Sequence, residues 1–311
     1  MNQQLKSTLV GFSAIVLWST LALFTKLSGS IPPFQLTAMS FTLAFAIGVV
    51  LWLRQGGNFW QHLQLPKQVW LLGIFGLFGY HFFYFIALQN APAVEANLIA
   101  NLWPLLIVVF SALLPQEKLR WFHILGALTG FLGAVLLVTK GESFNFEGQY
   151  SVGYLAALIC SLTWSGYTLL SRFFGAIPTH AVGGFCGITA LLSGLCHFLF
   201  ETTVMPVGRE WLAIICIGLG PVGVAFFTWD YGVKKGDIKV LGALSYSVSL
   251  LSTILLVMFG FASISWSLIV ACLLIIGGAV LASINLWLKK PVFKAAWLTK
   301  KFKIQNSKFK I

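Results

Sequence analysis

Ionisable side chains are scarce in this chain. Asp, Glu, Lys and Arg make up 9% of its 311 residues, and only eight are acidic, where a soluble domain carries roughly 25% charged residues. So few charges cannot cover a water-facing surface, which excludes an ordinary soluble domain. Cysteine is equally uninformative as chemistry. Cys160, Cys186, Cys196, Cys216 and Cys272 all lie inside apolar runs, with no CxxC pair and no Cys/His metal spacing, so they read as small buried apolar residues rather than disulfides or metal ligands. There is no Walker A loop and no nucleophile–base–acid set. No catalysis, cofactor or metal is therefore expected.

What is present is apolar residue, 58% of the chain, with a mean hydropathy of +0.89. A bilayer-crossing helix needs about 20 mostly apolar residues. Ten such runs can be marked, at 8–28, 32–53, 68–88, 92–114, 121–139, 151–173, 179–200, 211–231, 239–259 and 264–288. The sequence thus reads as an all-α membrane protein. The first run follows Lys6 and could pass for a signal peptide, but it lacks a small-x-small cleavage site and reads as a retained span. With the N-terminus inside, the inner connections carry nine Lys and Arg residues and the outer ones carry Lys26, Lys140 and Arg209. The eight lysines after residue 288 add to the inner side, so both termini are expected in the cytoplasm. That tail, 289–311, is read as a basic cytoplasmic end resting near anionic lipid rather than as a nucleic-acid binder.

The chain is also written twice. Trp18-Ser19 with Thr25-Lys26 returns as Trp164-Ser165 with Ser171-Arg172 at an offset of 146. At an offset of 145, Trp121 falls on Trp266, Gly133–Leu136 on Gly278–Leu281, and Asn101 on Tyr246. Residues 8–140 and 151–288 are therefore two five-span repeats. An odd span count reverses the second relative to the first, which is the inverted architecture that surrounds a midplane cavity and supports alternating access.

Polar residues at membrane depth are costly and usually face a cavity. Tyr80 and Tyr84 on the third span share a helix face, with His81 beside them. On the fourth span Glu95, Asn97, Asn101 and Trp103 precede Pro104, which removes a backbone hydrogen bond mid-span. Trp18, Trp103 and Trp164 lie near span centres, too deep for an interfacial belt. The candidate substrate-binding set is accordingly Trp18, Tyr80, His81, Tyr84, Glu95, Asn101, Trp103 and Trp164. Glu95 is near the outer end of its span, so a solvated rim competes with a place in the site. His123 and His197 have no evident polar neighbourhood and read as structural, and Asp230 reads as an inner ion-pair partner of Lys234 or Lys235. Gly126, Gly130, Gly133, Gly277 and Gly278 suggest close packing of the fifth and tenth spans.

The Ala14–Thr20 stretch, the Gln116-Glu117-Lys118 turn and the Gly-rich closing spans resemble the drug/metabolite transporter superfamily, in its ten-helix type with two EamA domains. Within it the chain is similar to exporters of aromatic amino acids, through Glu95, Asn101-Leu102-Trp103-Pro104 and Ser245-Tyr246. The resemblance implies a central cavity lined by Tyr80, His81, Tyr84, Trp103 and Trp164. Asn101 stands where a tyrosine is common, making that pocket more polar. Ser249 stands where a proline is expected, which should remove a kink from the ninth span. The expected function is export of small metabolites, aromatic or large neutral amino acids, across the cytoplasmic membrane. A cationic drug, sugar or nucleotide-sugar substrate is the alternative, and a membrane-embedded enzyme a distant one. The expected partners are a small-molecule substrate and the lipid bilayer; monomer and homodimer both stay open.

Overall fold

Apolar surroundings leave a backbone N–H or C=O no partner but the chain itself, so each apolar run closes its hydrogen bonds as a helix. The computed structural model describes residues 3–56, 59–115 and 117–288, with side chains to residue 284. The basic tail and its expected place at the lipid surface lie outside the described residues. Among the described residues ten helices are long and apolar enough to cross a membrane: α1 Gln3–Leu27, α2 Pro33–Gln55, α3 Lys67–Asn90, α4 Ala93–Leu113, α5 Trp121–Thr139, α6 Gly148–Phe173, α7 Thr179–Phe200, α8 Arg209–Lys235, α9 Ile238–Met258 and α10 Trp266–Ile284. They match the ten runs read from the sequence. The helix of α1 begins five residues early, because Gln3–Lys6 is built of good helix formers.

The packing keeps its pattern when the two five-helix halves are exchanged. Helix α1 packs on α8 as α6 packs on α3; α1 meets α9 as α6 meets α4; α2 meets α8 as α7 meets α3. The pairs α2–α7, α4–α9 and α5–α10 map onto themselves. Two of these seams close on glycine. A methyl placed on Gly126 would lie 2.5 Å from the Gly278 carbonyl, and one on Gly48 would lie 2.5 Å from the Gly183 Cα. The expected α5–α10 contact is thus present through Gly126, Gly130 and Gly133 against α9 and α10, while Gly277 faces open space.

The helix irregularities also recur. A five-residue π segment occupies Phe75–Gly79 in α3 and Gly220–Val224 in α8, residue 75 onto 220 at the offset of 145. Helix α4 breaks at Asn101–Leu102 and α9 at Ser245–Tyr246. The first break follows from Pro104, which has no N–H and clashes with the carbonyl four residues back. The second corrects the expectation of an unkinked ninth span. It occurs without a proline, because Tyr246 is drawn across to α4, where its hydroxyl accepts the Leu105 N–H at 3.1 Å. One side chain thereby satisfies the donor that the Pro104 break sets free.

Candidate functional site

Four tryptophans meet where these irregular helices converge: Trp18 on α1, Trp103 just after the α4 break, Trp164 on α6 and Trp229 on α8. All six ring pairs lie within 6.3 Å centroid to centroid, from Trp18–Trp229 at 5.0 Å to the stacked Trp164–Trp229 pair. Most are edge-to-face, the arrangement that the ring quadrupole favours. Trp103 and Trp164, both expected to line a central cavity, are in direct contact, with ring centroids 6.3 Å apart. Phe226 packs against Trp18 and Trp164, and Tyr167 packs against Trp164.

The α3 side chains form the adjoining wall. Tyr80 lies 5.5 Å from Trp164 and stacks parallel on Tyr84. The Tyr84 hydroxyl donates to Asn97 Oδ1 at 2.7 Å, while Asn97 Nδ2 donates to the Ala93 carbonyl. His81 Nδ1 donates to the Leu77 carbonyl at 2.8 Å. Since a carbonyl only accepts, Nδ1 carries a proton in this bond, and Nε2 has no partner among the described residues. The rings of Phe41, Tyr80 and Phe85 surround that imidazole.

The hydrogen-bonding state of this cluster is uneven. Trp229 Nε1 donates to Thr168 Oγ1 at 3.2 Å. The indole N–H groups of Trp18, Trp103 and Trp164 and the Tyr80 hydroxyl have no partner among the described residues, yet none is sealed from solvent. They are unpaired, accessible donors at mid-span. Asn101, half-buried at the α4 break, also has a free side-chain amide. Among the described residues no Asp, Glu, Lys or Arg side chain hydrogen-bonds to the polar atoms of these rings, so the cluster offers an aromatic surface with a few hydrogen bonds.

Of the eight residues marked from sequence, Trp18, Trp103, Trp164, Tyr80, His81 and Tyr84 come together and Asn101 sits at the adjoining break. Glu95 does not join them; it is buried at the far end of α4, beside Pro92 and Thr139. Trp229, Phe226 and Phe41 were missed. Trp229 had a signal, since it falls on Tyr84 at the 145 offset. Asp230 pairs with Lys234 at 2.9 Å as expected and accepts from Thr179, whereas Lys235 lies over the Tyr231 ring.

His197 is structural, as read, but it has the polar neighbourhood that the sequence did not show. It bonds Glu201 at 2.9 Å and Thr203 at 3.0 Å, and Glu201 accepts the Phe34 and Gln35 N–H groups at the start of α2. His123 caps its own helix by accepting the Arg120 N–H, a structural role as read. At the opposite end of the bundle from Glu201, Glu117 bridges Arg172 and Lys239. Arg172 also donates to the Val233 and Gly236 carbonyls, tying α6 to the α8–α9 turn. No group of His, Cys, Asp and Glu among the described residues could hold a metal ion by clustering of three.

Comparison with known proteins agrees with this arrangement. The aromatic amino acid exporter YddG of Ancylobacter novellus is 54% identical over 279 residues, 89% of this chain and 97% of that protein. The exporter of the same name from Escherichia coli is 25% identical, again over 89% of this chain and 96% of its own length. A crystal structure of a protein with 53% identity superimposes with a TM-score of 0.87, covering 91% of this chain and 98% of that one. The EamA-like transporter model matches twice, at residues 5–139 and 151–284, and the chain therefore belongs to the EamA-like transporter family.

Proposed function

We propose that this membrane transporter exports aromatic or large neutral amino acids from the cytoplasm. The observation that carries the reading is the mid-span tryptophan cluster with three unpaired indole donors. The names of the relatives, aromatic amino acid exporters, support it. A substrate ring would enter among Trp18, Trp103, Trp164 and Tyr80, where each well-placed aromatic pair contributes about 0.5–1.5 kcal/mol beyond area burial. Its ammonium and carboxylate groups would meet His81 Nε2, the Tyr80 and Tyr84 hydroxyls, the Asn101 amide and the indole donors. Glu95 is left out of this set because it lies apart from the cluster.

The two halves would be related as an inverted repeat, which the exchange-invariant packing supports. Both termini would face the cytoplasm, as the nine-to-three lysine and arginine asymmetry favours. Alternating access would then bend the chain at the α4 and α9 breaks and at the two π segments. The Glu117–Arg172–Lys239 ties would part when the cytoplasmic side opens.

Inside-out vesicles and proteoliposomes test the reading, with labelled tryptophan, phenylalanine and leucine, arginine as a contrast, and an imposed or absent pH gradient. Saturable, mutually competing transport of the aromatic substrates is expected. Transport of none of the three overturns it. Cysteine labelling that places Gly148 and Gly236 on the same face would refute the topology.

A further inference from the structure

Away from the tryptophans, one carboxylate is buried without a partner. Glu95 lies in the first turn of α4 and is 8% exposed, and its Oε2 is sealed with no hydrogen-bond donor. Residues two apart on a helix point to nearly opposite faces. Asn97 faces Tyr84 on α3, so Glu95 faces α5 and the connection beyond it. There it lines a cleft of about 220 Å³ with Pro92, Thr139, Glu142, Ser143 and Phe144.

The connection is bent over α4 by a left-handed pair, Lys140 at φ 55° and Gly141 at φ 82°. Thr139 Oγ1 holds that turn, donating to the Val135 carbonyl and accepting the Gly141 N–H at 3.2 Å. Its hydroxyl is thereby occupied. The side-chain oxygens left to the cleft belong to Glu95, Glu142 and Ser143.

Among the described residues neither carboxylate forms an ion pair, and Lys140, the adjacent cation in sequence, is exposed and pairs with neither. An uncompensated buried carboxylate is strongly unfavourable, and a second carboxylate on the same cleft adds repulsion. Oxygen-only donors select hard cations over zinc or copper, and two carboxylates balance a charge of +2.

We infer that this cleft takes a hard divalent cation through Glu95, Glu142 and Ser143, apart from the substrate path. Its occupancy pins the connection between the two halves onto the start of α4.

The test is thermal unfolding of the full-length protein in detergent after chelation, titrated with Ca²⁺ and Mg²⁺ against Na⁺ and K⁺ at matched ionic strength. Ca²⁺ is expected to raise the melting temperature saturably, with half-saturation on the order of 10⁻⁴–10⁻³ M, the range of extracellular calcium modules. Glu95→Gln should abolish the response. Glu142→Gln and Ser143→Ala, both on the exposed connection, should each raise the half-saturating concentration about tenfold or more, about 1.4 kcal/mol in binding. These two keep the test decisive if Glu95→Gln does not fold. A divalent response unchanged in the two connection variants overturns the inference. So does a wild type with no saturable response, or one in which Glu95→Gln alone stabilises the protein, the signature of a Glu95 that is held protonated. The readout does not involve transport, so its failure is distinct from failure of the substrate assignment.

Discussion

Replacing Tyr246 by Phe removes one oxygen at the point where both halves of the molecule are broken. Tyr246 is 1% exposed, its ring is packed against Phe131 and Gly130, and its hydroxyl accepts the Leu105 N–H at 3.1 Å. The phenyl ring can keep all of its packing, so the perturbation is confined to that N–H. In an unbroken helix Leu105 would donate to the Asn101 carbonyl, but the Pro104 break holds that carbonyl away. The variant then has two outcomes. The N–H stays unpaired, at a cost of about 1–3 kcal/mol for a buried donor, or α4 straightens to recover the bond and carries Asn101 and Trp103 with it. Stability falls in the first case and transport in the second. Ser245→Ala is the control, since its hydroxyl bonds only its own helix at the Leu241 carbonyl and should stay within about 0.5 kcal/mol of wild type. Unfolding in detergent and substrate counterflow in proteoliposomes read the two outcomes. Should Tyr246→Phe match wild type in both, the hydroxyl does not hold the break, and the account of α9's kink fails with it.

Trp164→Phe keeps a ring in the cluster but deletes an unpaired indole donor; tryptophan transport should fall several-fold with membrane abundance near normal, and unchanged kinetics would refute a binding role for that N–H. Trp164→Ala is the less clean variant, since emptying a side chain that is 4% exposed should cost about 3–5 kcal/mol. His81→Gln should retain part of the activity and an unaltered pH profile, because His81 touches rings and the Leu77 carbonyl but no carboxylate; loss of the response to an imposed pH gradient, with binding intact, would make it a proton carrier instead. Gly48→Leu should lower the melting temperature or abolish accumulation, overpacking of this kind costing about 1–3 kcal/mol, whereas Gly277→Leu, with nothing within 4 Å of its Cβ position, should be neutral.

Composition and repetition were enough to show ten spans, two halves and the glycine seam of α5 with α10. Each depends on properties local to the chain: apolar run length, a recurring Trp-Ser pattern and the smallness of glycine. The tryptophans were legible for the same reason, since an aromatic at a span centre is anomalous wherever the span packs. What sequence could not supply was direction. Glu95 and Asn97 are two residues apart and equally polar, yet the helix turns one toward the aromatic wall and the other toward a separate cleft. Trp229 was not singled out from the sequence, and it is the turn of α8 that places its ring against Trp18. The kink in α9 has no proline to announce it, because its cause is a tyrosine pairing with a backbone donor on another helix. His197 likewise gained its partners only when the chain after α7 folded back to the start of α2. Span existence is decided by transfer of a segment out of water, which the segment's own residues settle. Which side chains share a site is decided by helix rotation and by hydrogen bonds between segments over a hundred residues apart, and only the assembled bundle settles those.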